Sequence, residues 1–186
     1  MTLWKTALRF GFLRVRQLPS LTATVAKRKA VRRRRTQSGR SSAAAKRVTA
    51  RRYIESSALV AAVLEGDVAA KASIRAPGQR ITSALTIAET SRAVLRARLS
   101  GRITAQQHRA ALLTLQRFAR RCHIVSVTET ILARAGRSFP VEPIRTLDAI
   151  HLATAEALGD PPALVIIITR DLRVRENSAA LGFPVE

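Results

Sequence analysis

RRYIESSALV, residues 51–60, sets a carboxylate at the end of a short apolar run and follows it with two serines and a second apolar stretch. Arg52-Tyr53-Ile54 reads as a first strand, and Ser57 to Glu65 as a helix rich in Ala, Leu and Val. Glu55 stands between them, where an apolar core gains nothing from a charge. A glutamate in that place calls for a use.

Outward from this stretch, strands and helices alternate. Val68 to Ile74 is predicted helical until Pro77-Gly78 ends it, and Arg80-Ile81-Thr82 is a second brief strand. Ala84 to Leu99 carries Leu85, Ala88, Leu95 and Leu99 on one helical stripe and stops at Gly101. Thr104 is a plausible N-cap for Ala105 to Arg121, whose apolar side is Ala111, Leu112, Leu115 and Phe118. His123 to Val127 is a third strand, Thr128 to Gly136 a short helix, and Thr146 opens a helix through Leu158. The strongest strand is Ala163 to Thr169, after Pro161-Pro162; a turn or short helix follows, and Gly182 to Val185 is a terminal edge strand. This alternation predicts an α/β sandwich with a mostly parallel sheet flanked by helices.

Composition divides the chain near residue 50. The first fifty residues hold 14 of the 33 Lys and Arg and no Asp or Glu, so all 12 acids lie in residues 51–186. The net charge of +21 favours a polyanionic partner, RNA or DNA. Residues 1–50 form a basic, low-complexity extension, expected to be disordered, and 51–186 the folded domain. The extension has three readings: an arm for nucleic acid or a membrane surface, a transit peptide, or translation called upstream of a true start at Val48. The single cysteine, Cys122, can form no internal disulfide, which fits a reducing cytoplasm. No apolar run approaches the ~20 residues of a membrane span.

In parallel sheets, function gathers beyond the carboxyl ends of the strands. Glu55 follows the first strand, and Asp171 follows the strand ending at Thr169. Glu89 lies in the first turns of the helix after the second strand, and Asp148 in the first turn of the helix from Thr146. Four carboxylates on one rim repel unless cations hold them, and oxygen donors suit Mg²⁺ or Mn²⁺ rather than zinc. Such ions acidify water and clamp the oxygens of a phosphoryl displacement. The pattern points to a metal-dependent phosphodiesterase. Each acid also has a structural use, as a dipole partner, turn opener or solvated helix residue.

Four stretches carry a resemblance: YIESSALVAAVLEGD (53–67), ITSALTIAETSRAVLRA (81–97), RTLDAIHLATAEAL (145–158) and IIITRDLRVRENSAALGFPV (166–185). In this order they resemble the PIN-domain family, and within it the VapC-type toxins of bacterial toxin–antitoxin pairs. The resemblance implies a PIN-like three-layer sandwich, a Mg²⁺-dependent ribonuclease, an antitoxin that blocks the site, and a homodimer. It maps catalytic and metal-binding roles onto Glu55, Glu89, Asp148 and Asp171. Ser57 matches a hydroxyl that organises the first acid, and Thr169 would hold the turn of the last. The departure is Glu55, where the family usually has Asp; the extra methylene moves the carboxylate by roughly 1.5 Å. Arg145, Arg170 and Arg173 are candidates for RNA contact, with Arg175 beside them. The rival class is a non-catalytic nucleic-acid-binding protein that uses the basic arm on the same scaffold.

Other residues are read as structural. His151, three positions after Asp148, is expected to be packed or hydrogen-bonded beside the site rather than a ligand. His108 and His123 belong to the frame, Cys122 has no partner for thiol chemistry, and Glu65-Gly66-Asp67 is a solvated turn. No Gly-rich phosphate loop is present.

Overall fold

The computed structural model of the protein describes residues 50–186; the readings made above for residues 1–49 lie outside the described residues. The elements run β1 (Arg51–Ile54), α1 (Ser56–Val60), α2 (Val68–Arg75), β2 (Gln79–Ser83), α3 (Ala84–Leu99), α4 (Ala105–Ala119), β3 (His123–Val125), α5 (Glu129–Ala135), α6 (Thr146–Glu156), β4 (Val165–Ile168) and α7 (Leu172–Ala180). A π-helical turn, Ala61–Glu65, extends α1 until Gly66 closes it at φ 75°.

The four strands form one sheet in the order β3-β2-β1-β4, and every pairing is parallel. The α/β architecture expected from the pattern is therefore observed. Strand alternation sorts the core onto two faces. Tyr53, Ile81, Val165 and Ile167 pack with Ile131 of α5, Ile150, Leu152 and Ala153 of α6, and Val174 of α7. Ile54 and Ile168 pack on the other face with Ala58, Leu59, Ile74 and Leu115. Helices thus cover both faces, as a parallel sheet buried on both sides requires.

The order places β1 between β2 and β4: the chain steps from β1 to β2 to β3 on one side, then crosses back to β4 on the other. That topological switch point opens a crevice beyond the carboxyl ends of β1 and β4. At the opposite end of β1, Gly78 turns the chain into β2 at φ 145°, where a Cβ would lie 2.5 Å from the Ala50 carbonyl oxygen. We expect Gly78→Ala to cost about 1–3 kcal/mol, read as a lower denaturant midpoint at unchanged slope. A midpoint equal to the parent's would mean the turn relaxes freely.

Two sequence expectations, the start of the strongest strand and the terminal strand, are corrected. The strongest strand begins at Val165, because Pro162–Leu164 forms a 3₁₀ turn. Of the turn or short helix expected after Asp171, the helix is observed, the nine-residue α7. The terminal segment makes a single parallel bridge, Ile167 to Val185, instead of a strand. Pro184 has no N–H to continue a ladder, although its carbonyl accepts from Ile167 N at 2.8 Å and the Glu186 carbonyl accepts from Thr169 N at 3.1 Å.

Candidate active site

Glu55 leaves β1 with its backbone N–H donating to the Ile168 carbonyl at 3.0 Å, which fixes it against the end of β4. Its backbone is extended (φ −85°, ψ 162°), the geometry of an N-cap, and its carboxylate caps α1. Oε1 accepts from the Ser56 hydroxyl at 2.6 Å, and the Ser57 N–H is shared between Oε1 and Oε2, 3.0 Å from each. Oε2 also accepts from the Ser57 hydroxyl and, at 2.9 Å, from the Thr169 hydroxyl. The residue is 3 % exposed, so a charge with this many donors is buried and satisfied.

Ser57 then ties this acid to the next. Its Oγ accepts from the backbone N–H of Arg170 at 2.7 Å and of Asp171 at 3.0 Å. Thr169 Oγ1 accepts from the same Asp171 N–H at 3.0 Å. Asp171 in turn caps α7, Oδ1 accepting from Arg173 N at 2.8 Å and Val174 N at 3.2 Å. The two hydroxyls expected to support the acids therefore hold the Glu55 carboxylate and the Asp171 turn in one network.

Glu89, in the second turn of α3, reaches His151 of α6, with Nε2 to Oε2 at 2.7 Å. Burial pushes the Glu89 carboxyl up, but the hydrogen bond and charge of His151, with smaller help from Ser56 and Arg96, hold it below the usual carboxylate range. The other ring nitrogen, Nδ1, lies 3.0 Å from the Tyr53 hydroxyl. Burial first, and the Glu55 carboxylate second, push the Tyr53 phenol far up, so its hydroxyl keeps its proton. Glu89 and Tyr53 thus hold the two ring nitrogens of His151 from opposite sides. His151 is 1 % exposed and lies 3.7 Å from Glu55 Oε1. Glu55, Glu89 and His151 each offer one ligand atom within 4.8 Å of the others.

Asp148 and Asp171 are not part of that three-residue group, but Asp148 lies close enough to Glu55, Asp171 and His151 for their charges to act on it. Burial, then the charges of Asp171 and Glu55, raise its carboxyl above the ordinary value; Arg145 and His151 oppose them. Its Oδ2 is buried without any hydrogen-bond donor. This acid is ionisable only at a cost, with the charges of Asp171 and Glu55 acting on it.

The arginines divide. Arg170 Nε donates to Asp67 Oδ2 at 2.8 Å, and Nη1 to the Thr169 carbonyl at 3.3 Å. Arg175 Nη2 also donates to the Thr169 carbonyl, at 3.2 Å. Arg145 and Arg173 are exposed. Asp67 is more than part of a solvated turn: it caps α2 through Ala70 N at 2.9 Å and pairs with Arg170. Its position three residues before Ala70 was the available signal for a cap. Sequence reasoning missed Ser56 as a donor to Glu55 and Tyr53 as the partner of His151. His151 itself is hydrogen-bonded beside the acids, as expected.

A parallel α/β sheet with carboxylates gathered beyond β1, β2 and β4 defines the class, and residues 52–179 match its family, the PIN domain. The chain belongs to the PIN-domain family. It is similar to ribonuclease VapC35 of Mycobacterium tuberculosis, 33% identical over 137 residues that span 72% of this chain and 93% of that protein. It is 38% identical over 136 residues to ribonuclease VapC46 of the same organism, covering 72% and 94%. Among solved structures, the M. tuberculosis VapC20 toxin, which cleaves the sarcin–ricin loop, aligns with a TM-score of 0.51 at 19% identity, covering 71% of this chain and 95% of that one. That likeness supports the fold. No helix among the described residues is long and apolar enough to cross a membrane.

Proposed function

We propose that the protein is a VapC-type toxin, a divalent-metal-dependent endoribonuclease held in check by a cognate antitoxin and acting as a homodimer in the bacterial cytoplasm. Residues 51–186 are its nuclease domain, and residues 1–50 an extension to it. The observation that carries this reading is Asp148: a carboxyl raised by burial and by its carboxylate neighbours, with one buried oxygen lacking a donor. Such an atom is costly unless a cation meets it. The oxygen-rich donor set fits a hard divalent ion, Mg²⁺ with Mn²⁺ as a substitute. Glu55, Glu89, Asp148 and Asp171 are the residues that would hold it, while His151 Nε2 is spent on Glu89. The ion, when bound, supplies an acidified water and a counter-charge for phosphate oxygens.

The chain's own groups do the rest. Ser57 and Thr169 orient Glu55 and the Asp171 turn, and His151 orients Glu89. The exposed guanidinium groups of Arg145 and Arg173 flank the acids at the starts of α6 and α7, where a phosphate backbone would pass. With a pool of structured RNA, the protein is expected to yield discrete fragments in Mg²⁺, to lose on the order of 10²-fold or more in rate in EDTA, and to recover on added Mg²⁺ or Mn²⁺. Cleavage that persists in EDTA would sink the metal reading. RNA binding indifferent to EDTA, with no cleavage in any metal, would instead favour the non-catalytic binding protein.

A further inference from the structure

The carboxylate rim repels phosphates, and beyond Arg145 and Arg173 beside it the chain carries a larger basic surface elsewhere. Between Glu89 and Glu129 the sequence contains eight arginines and no Asp or Glu. This span covers most of α3, all of α4 and β3. All eight arginines are exposed, and none makes an ion pair among the described residues. By contrast Arg51, Arg52, Arg134 and Arg170 are each matched to an acid.

Helical spacing orders three of them. On α4 the buried residues are Ala111, Leu115 and Ala119. Arg109, Arg117 and the capping Arg120 fall on the opposite face, with exposed Leu113 between them. At 1.5 Å per residue the stripe is about 16 Å long. Arg121 follows it, and Arg80 lies close enough to Cys122 to act on its thiol. The apolar side of α4 is spent on the core, so the helix has no face left to insert into lipid. Guanidinium forks suit phosphate oxygens better than they suit a featureless negative surface.

We propose that the outer face of α4, centred on Arg109, Arg117 and Arg120, is an RNA-backbone-binding surface separate from the carboxylate rim. This rests on the reading that the substrate is RNA, and it divides labour: α4 supplies affinity and the rim supplies chemistry. Sequence-independent contacts of this kind place an RNA without choosing its cleavage site.

The test is RNA binding by the full chain in EDTA, with structured RNA titrated across salt. The combined variant Arg109→Gln, Arg117→Gln, Arg120→Gln is compared with Arg137→Gln, an exposed arginine elsewhere. All three sites are exposed, and Gln is a good helix former, so the fold should survive. The expected result is weaker binding, with the slope of log K against log salt smaller by about 2–3 in the triple variant. The Arg137 variant should lose at most about one unit. An unchanged slope in the triple variant overturns the proposal. So does loss of binding to phosphatidylserine vesicles with RNA binding intact. If the slope falls but no metal-dependent cleavage is ever seen, the surface stands and the nuclease reading fails. If cleavage is intact and the slope is unchanged, only the surface fails.

Discussion

Asp148→Asn should abolish RNA cleavage, by on the order of 10²-fold or more, in a protein at least as stable as the parent when metal is absent. The opposition of the two effects is the point. A carboxyl raised in the fold by burial and by Asp171 and Glu55 holds its proton more firmly when folded than when unfolded. The folded state then binds more protons, and stability falls as pH rises through the folded value. Below the ordinary Asp value of about 3.9 the group is protonated in both states and costs nothing. Above the raised folded value the cost is complete and constant. Asparagine removes it, because it has no charge to desolvate beside other carboxylates. The melting temperature of the variant, measured in EDTA, should therefore move upward relative to the parent as pH rises from that acid range to neutrality. Mg²⁺ should reverse the order, stabilising the parent by mass action and the variant less. A variant that melts below the parent in EDTA at neutral pH would show that Asp148 has a structural partner. A variant that still cleaves RNA would remove Asp148 from the chemistry.

Legibility in the sequence followed the kind of force involved. Apolar periodicity exposed the core helices and strands, since a stripe such as Ala111-Leu115 exists only to be buried. The rule for parallel sheets places Glu55 and Asp171 just beyond the carboxyl ends of β1 and β4. α7 was less visible because its burial uses Asn177 and Ser178 beside Val174, so no apolar stripe marks it. Asn177 gains its place by hydrogen bonds to Val141 N and O, 36 residues earlier. Tyr53 and His151 are 98 residues apart and meet only because β1 and α6 pack on one face. Asp67 and Arg170 meet in the same way, across 103 residues. Long-range polar pairs leave no periodic trace, whereas caps and stripes do. The family resemblance supplied roles for the acids, but not the distribution of their hydrogen bonds.

That distribution makes Glu55→Ala the most destabilising single change expected at the site, about 3–5 kcal/mol by denaturant unfolding. Four donors point at the Glu55 carboxylate: the hydroxyls of Ser56, Ser57 and Thr169, and the Ser57 N–H. A carboxylate offers about four lone-pair sites, so the donors occupy most of it, Oε2 more fully than Oε1. Truncation would leave the buried Thr169 hydroxyl and the half-buried Ser56 and Ser57 donors without this acceptor, and would also strip the cap from α1. Glu55→Asp separates these contributions. Aspartate is a good N-cap and keeps the charge, but its carboxylate stops roughly 1.5 Å short. It cannot meet both the Ser donors and Thr169 Oγ1, so some lone pairs are released towards the rim. The expected result is a loss well below that of the alanine variant, together with Mn²⁺ binding at least as tight as the parent's. An aspartate variant as unstable as alanine would assign the whole effect to the Thr169 contact. One that binds Mn²⁺ more weakly would mean that the longer side chain is what brings this acid to the metal. In either case Glu55 serves the fold first, as the bolt between β1, α1 and the Asp171 turn, and chemistry at the rim uses what that role leaves free.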